Sequence, residues 1–177
     1  MTMRPDLTVA AVVERNGQFL LVEERAGQRM VFNQPAGHVE RGETLIDAVI
    51  RETLEETAWT FHPESLVGIY HWEQPEKNKS FLRFAFFGTV STHDPQRSLD
   101  RGIERALWMD KDHLLARAPR LRSPMVMRCI DDFLAGRRYP LDIVKHMMAD
   151  PRSLILDQRI RTSDSPPIER APTERAF

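Results

Sequence analysis

A single cysteine in 177 residues, Cys129, leaves no partner for an internal disulfide and no cluster for a structural zinc. Long apolar runs are also missing, and nothing approaches the roughly 20 residues needed to span a bilayer. Neither sign of charge dominates: 25 Lys and Arg stand against 26 Asp and Glu, for a net charge of −1. A dedicated nucleic-acid binder is usually basic, so neither a nucleic-acid polymer nor a membrane is the expected partner. No repeat is visible, which excludes a solenoid. The opening residues, Met1-Thr2-Met3-Arg4-Pro5-Asp6, lack the layout of a signal peptide. A reducing cytoplasm is the expected compartment, with Cys129 serving as packing in an apolar helix.

What is present suits one enzyme-sized domain. The chain is 41% apolar, enough for a core. Strands are expected at 7–13, 19–23, 30–34, 66–72, 80–90 and 103–109. Asn16-Gly17 is a strong hairpin signal between the first two. Helices are expected at 44–57, 110–115 and 124–136, the last with Val126, Ile130, Phe133 and Leu134 on its apolar side. Residues 91–102 are polar, contain Pro95, and are expected to form a loop. The order lacks strict β-α-β alternation, so the pattern predicts an α/β protein with a mixed sheet and helices on its faces. The domain is expected to occupy 1–157. From 158 to 177 the chain holds Pro166, Pro167 and Pro172 with little apolar pattern, and is expected to be a disordered or loosely attached tail.

The densest chemistry lies between Gly37 and Trp59. A glycine loop and Glu43 precede a helical pattern free of Gly and Pro, with Thr44 and Asp47 spaced as a capping box. At about 100° per residue, Leu45, Ala48, Val49, Glu52 and Glu56 share one face. Ile46, Ile50 and Leu54 form a second apolar stripe, which predicts a helix packed between layers. Glu52 and Glu56 thus continue an apolar stripe, where unpaired carboxylates are costly without a cation. Glu52, Glu55 and Glu56 offer only hard oxygen donors, suited to Mg²⁺ or Mn²⁺. The bland alternative, a solvated helix with an Arg51–Glu55 ion pair, fits the face less well.

Gly37, Glu43, Arg51-Glu52, Glu55-Glu56 and Trp59 have the spacing of the Nudix box, and the segment resembles that family. Three positions depart from its pattern: Thr53 replaces an aliphatic residue, Ala58 the final glycine, and Ala36 one glycine of the lead-in Gln34-Pro35-Ala36-Gly37-His38. Without a glycine at 58, the turn after the helix is expected to be less sharp. The likeness continues through His71-Trp72, Phe81-Leu82-Arg83-Phe84, Leu121-Arg122-Ser123-Pro124 and Arg138-Tyr139-Pro140-Leu141, covering roughly residues 7 to 147.

The resemblance implies an α/β/α sandwich and a metal-dependent hydrolase of phosphoanhydrides. It places Mg²⁺ or Mn²⁺ on Glu52, Glu55 and Glu56, with Ala36 and Gly37 contributing through their backbone. Glu43, Arg51, Glu52 and Glu55 make the expected catalytic group. Arg51 orients carboxylates, its partner being Glu43 or Glu55, and Glu52 or Glu55 is the first candidate for the base, with Glu104 as the loop alternative. Substrate contacts are expected from Arg29 or Arg83 to a terminal phosphate, from His38 to phosphate and from Trp72 to a ring, with Arg122 a weaker candidate. His62, His93 and His113 are expected to be exposed bystanders, and His146 has no evident partner. The implied substrates are small phosphorylated molecules, namely nucleoside tri- and diphosphates and thiamine-type pyrophosphates, with orthophosphate released. The alternatives are a MutT-like enzyme releasing pyrophosphate and a nucleotide-sensing domain without turnover.

Overall fold

The computed structural model describes residues 4–147. The expected boundary at 157 and the 158–177 segment lie outside the described residues. The described residues up to Lys145 belong to one compact unit. Its elements run β1 (Asp6–Val12), β2 (Glu14–Arg15), β3 (Gln18–Ala26), β4 (Arg29–Asn33), β5 (Ala36–His38), α1 (Leu45–Thr57), β6 (Trp59–Gln74), β7 (Lys79–His93), β8 (Ile103–Asp110), α2 (Lys111–Leu115) and α3 (Met125–Leu134).

The protein is α/β, with helices packed on a mixed sheet. That sheet has the order β5-β1-β7-β6. β1 runs parallel to β7, while the β1–β5 and β6–β7 pairs are antiparallel. A second, antiparallel sheet joins β2, β3 and β4, and β8 pairs with β3. Asn16-Gly17 does turn the chain, at φ of 53° and 80°, but the hairpin corrects the expected pairing. β3 returns against Glu14–Arg15 and Val13, not along β1. β1 is claimed by β7, from the far side of the sequence. β6 is 16 residues long, far beyond 66–72, because bulges near Pro63 and Gly68 let an edge strand absorb both residues. β7 likewise continues to His93, which shortens the expected loop.

Strand alternation builds two cores from one set of strands. Val9, Ala11, Val13, Leu20, Leu66 and Phe86 join Ala48 and Val49 of α1. Their neighbours Val12, Phe19, Leu21, Val67 and Ala85 join Val126, Cys129 and Ile130 of α3. The expectation that α1 lies between layers is corrected. It covers one side only, and Ile46, Ile50 and Leu54 are half-buried on the outer layer. Leu134 is 53% exposed and leaves the expected face of α3, whereas Cys129 is fully buried.

Local chemistry explains how α1 tolerates its departures. Thr44 caps it: its Oγ1 accepts the Asp47 N–H, and Asp47 reaches back to the Thr44 N–H. The buried Thr53 hydroxyl donates to Val49 O at 2.7 Å, so no polar atom is stranded. Ala58 makes the left-handed turn a glycine would make, at φ 58°, and its N–H donates to Leu54 O. The expected loss of sharpness does not occur. The turn instead carries the steric cost of a Cβ at positive φ, about 1–2 kcal/mol, offset in part by burying the methyl.

Glu23 ties the second sheet together, accepting from Arg105 and Arg120. Burial opposes its ionisation, but the two guanidinium groups outweigh it and hold the carboxyl below its usual range. A depressed folded pKa gives stability present above the ordinary 4.5 and lost as pH falls through the folded value. Both arginine side chains are largely open to solvent, so the gain is about 1 kcal/mol. Denaturant midpoints at pH 7 and pH 3 should show wild type losing more than Glu23→Gln on acidification; equal losses would remove Glu23 from this role.

Candidate active site

The β4–β5 connection, α1, and the β6–β7 ribbon enclose a cleft of about 470 Å³. Glu52 and Glu56 enter it from α1, beside Ala36 and Gly37 of β5. Gly37 is required by close approach. A Cβ there would lie 2.0 Å from Glu52 Cδ and 2.1–2.2 Å from its two oxygens. The Ala36 N–H donates to Glu56 Oε2 at 2.8 Å, so alanine in place of glycine still supplies the backbone group in use.

Arg51 answers the question of its partner with several at once. Its Nε and Nη2 form a fork on Glu43, at 3.0 and 2.7 Å. Nη1 donates to Glu52 Oε1 at 2.9 Å and to Glu55 Oε2 at 3.0 Å, and Nη2 also donates to His38 O. Glu43 closes the loop by accepting the Glu40 N–H. The hydrogen bonds from Arg51 hold the Glu43 carboxyl below its usual range. Arg51 in turn binds its proton more tightly than an ordinary guanidinium.

Glu52 and Glu56 shift the other way. Burial raises the Glu52 carboxyl, with Arg51 opposing. Burial pushes Glu56 up to about 9; the Ala36 N–H opposes this, while the negative charges of Glu24, Glu52 and Asp100 add to it. A carboxylate so placed is a site for positive charge. Among the described residues no three acidic, His or Cys side chains already converge into a metal cage. Glu55 is drawn to Arg51 and does not line the cleft. The donors nonetheless fit a hard divalent ion. Glu52 and Glu56 are oxygen ligands, buried, electrostatically unsatisfied, and cradled where glycine leaves space.

The other expected residues divide. Trp72 lines the cleft, stacked on Phe81 with centroids 5.7 Å apart. Arg83 lies at its floor, and His38 and Arg122 line its edge. Arg29 does not reach it: its guanidinium donates to Pro119 O, which corrects its expected place. Glu104 is exposed and away from the cleft, and the loop acid that acts on Glu52 and Glu56 is Asp100, held by its N–H to Glu55 O. Sequence reading missed Thr8, Glu24, Phe81, Ser123 and the two lysines Lys77 and Lys79, all lining the cleft. Phe81 could have been found, since strand alternation puts it on the face of Arg83. Thr8 carried no signal, and Ser123 stood only within the Leu121-Arg122-Ser123-Pro124 likeness, which gave it no role. His62, His93 and His113 are exposed.

A strand-woven cleft with a box helix supplying its acids defines a Nudix hydrolase, and the chain belongs to that family. The NUDIX domain model matches residues 4–129. Phosphatase NudJ of Escherichia coli (strain K12) is 38% identical over 141 residues, 80% of this chain and 91% of that protein. The solved NUDIX hydrolase from Nitrosomonas europaea is 50% identical, with a TM-score of 0.79 over 81% of this chain and 98% of that one. The MutT NUDIX hydrolase from Burkholderia pseudomallei, at 20% identity and a TM-score of 0.63 over 73% of this chain and 98% of that one, shares the fold. No helix among the described residues is long and apolar enough to cross a membrane.

Proposed function

We propose that the protein is a Mg²⁺- or Mn²⁺-dependent cytoplasmic hydrolase of small phosphoanhydrides. Its substrates would be nucleoside tri- and diphosphates and thiamine-type pyrophosphates, with orthophosphate released. The observation that carries this reading is the buried Glu52–Glu56 pair in the cleft, uncompensated by any cation among the described residues except Arg51 on Glu52. Glu52, Glu56 and, by a change of side-chain direction, Glu55 would hold the ion, with the backbone at Ala36 and Gly37 bordering it. The ion supplies charge neutralisation on the phosphate oxygens.

The chain's own groups do the rest. Arg51 sets the direction of Glu52 from behind while Glu43 anchors the fork. Ala36 fixes Glu56. Of the two expected bases, Glu52 is the better placed: it lines the cleft, and Oε2 is not the oxygen that Arg51 holds. Its pKa, raised by burial, suits it to take the proton of the attacking water at Oε2. Trp72 with Phe81 offers a stacking surface for a ring, and Arg83 and His38 would meet phosphate.

The NudJ likeness favours orthophosphate over the MutT-like release of pyrophosphate. Full-length protein with Mg²⁺ and a panel of nucleotides and thiamine pyrophosphate should release mainly orthophosphate, each product being assayed separately. Pyrophosphate as the main product would transfer the reading to the MutT type, and binding without any turnover would make it a sensor.

A further inference from the structure

Four buried side-chain polar atoms among the described residues have no protein partner: Thr8 Oγ1, Ser65 Oγ, Arg83 Nε and Ser123 Oγ. Three of the four, on Thr8, Arg83 and Ser123, belong to residues lining the active-site cleft. Polar groups stranded in a core are rare and costly, so three in one place indicate a ligand that completes them. They come from distant parts of the chain. Thr8 faces Arg83 across the parallel β1–β7 pair. Ser123 is carried over by the 121–126 segment, which is fastened to β4: Arg122 N–H donates to Phe32 O, and Gln34 Nε2 donates to Val126 O.

These residues lie in the buried part of the cleft lining. Thr8, Arg83 and Ser123 are each at least 94% buried, since their exposures are 6%, 5% and 5%. The lining also includes Glu40, Lys77 and Lys79, all exposed. Along the one face of β7 the order from inside to outside is Arg83, Phe81, Lys79, opposite Tyr70, Trp72 and Gln74 of β6. A cation therefore sits deepest, an aromatic pair comes next, and a polar rim follows.

The charge in the buried part is uncompensated. Arg83 makes no ion pair among the described residues; its Nη1 donates at long range to the neutral amide oxygens of Asn33 at 3.5 Å and Gln34 at 3.4 Å, and the buried Cys129 thiol is its other polar neighbour. Glu24, whose charge it feels, is engaged with Asn33 and Arg122 instead. A buried guanidinium with a free N–H, flanked by two hydroxyl donors, matches a compact oxyanion better than a neutral ring, which would leave the charge unpaired.

We infer that Thr8, Arg83 and Ser123 form a dead-end subsite for the terminal phosphoryl group of the substrate, the one joined to the rest through a single anhydride oxygen. The inference rests on the proposed phosphoanhydride function and narrows it. A molecule whose last phosphate is free can place it in this subsite. One whose phosphates are capped by organic groups at both ends cannot, because the second group has no way out.

Two measurements on the full chain test this. Inorganic phosphate is titrated calorimetrically into metal-free protein, where no turnover occurs. Wild type should bind it, and Thr8→Val/Ser123→Ala should weaken binding at least tenfold, with Arg83→Gln weakening it further. The double variant keeps shape and the Arg83 charge, so it stays informative should Arg83→Gln not fold. In the second measurement, kcat/KM for a nucleoside diphosphate is compared with that for a dinucleoside diphosphate. Wild type should prefer the uncapped substrate at least tenfold, and the double variant should lose most of that preference. Unchanged phosphate binding in the double variant, or equal wild-type rates on capped and uncapped substrates, overturns the subsite. Phosphate binding that the variants lose, in a protein that hydrolyses nothing, would uphold the subsite while ending the catalytic reading.

Discussion

Glu56→Gln should lower turnover by about 10³-fold or more at saturating Mg²⁺, with no loss of folding stability. An ion's contribution to charge stabilisation is several kcal/mol, and each 1.36 kcal/mol is a factor of ten in rate. Glutamine keeps the volume and an oxygen to accept the Ala36 N–H, so the packing of α1 against β5 is retained. It removes only the charge. In metal-free protein that charge is a burden, because burial and the neighbouring carboxylates push the Glu56 pKa up to about 9 from an ordinary 4.5. The folded state therefore holds a proton that the unfolded state has released between those values. Stability from this group consequently falls as pH rises from about 4.5 to 9, at up to about 1.4 kcal/mol per pH unit. Denaturation of metal-free protein at pH 5, 7 and 9 should show this slope in wild type and a flatter one in Glu56→Gln. Undiminished hydrolysis by the variant, or a steeper slope, would remove Glu56 from the centre of the site.

Gly37→Ala should do comparable damage to activity by a route that spares the fold. The added methyl would fall 2.0 Å from Glu52 Cδ, a separation no two such atoms tolerate. The backbone at Gly37 is not in the left-handed region, so alanine brings no conformational strain of its own. What must give is the end of a flexible side chain. Glu52 swings away and loses its 2.9 Å bond from Arg51 Nη1. The expected cost is therefore small in stability, about 1 kcal/mol or less. In rate it is about 10²-fold, the usual penalty of displacing a reacting group by an ångström. Because both changes strike one carboxylate, Gly37→Ala combined with Glu52→Gln should be no slower than Glu52→Gln alone. Additive losses in that cycle, or a collapse of the melting temperature in Gly37→Ala, would count against the clash as cause.

The cluster proposed for the site was legible because it is local. Glu43, Arg51, Glu52, Glu55 and Glu56 lie on one loop and one uninterrupted helix, and spacing alone determines which face each occupies. The capping pair Thr44–Asp47 was readable for the same reason. What spacing cannot show is which strand a strand will choose. Asn16-Gly17 marked a turn, but β1 pairs with β7, more than 70 positions away, because only there do Val9 and Ala11 find Phe86 and the α1 face. The substrate end of the cleft depends on such long-range pairing. Thr8 and Ser123 are ordinary residues until β7 and the 121–126 segment bring Arg83 between them. Arg29 and Glu104 failed as candidates for a related reason. Each had suitable chemistry in a suitable place in the chain, and the fold turned each toward solvent or a backbone carbonyl elsewhere. The second apolar stripe of α1 misled because Ile46, Ile50 and Leu54 shield the rim of one core and do not face another.

β1 hands its odd-numbered side chains to one helix layer and its even-numbered ones to the other, with Val12 between Ala11 and Val13. Slipping that strand by a single place would deliver every one of them to the wrong side. The two layers thus share a spine, and neither can loosen without stripping the backing from its counterpart. The carboxylate wall and the arginine floor stand on opposite flanks of that spine, so their spacing is set by a strand whose Val9, Ala10, Ala11 and Val12 are at most 1% exposed.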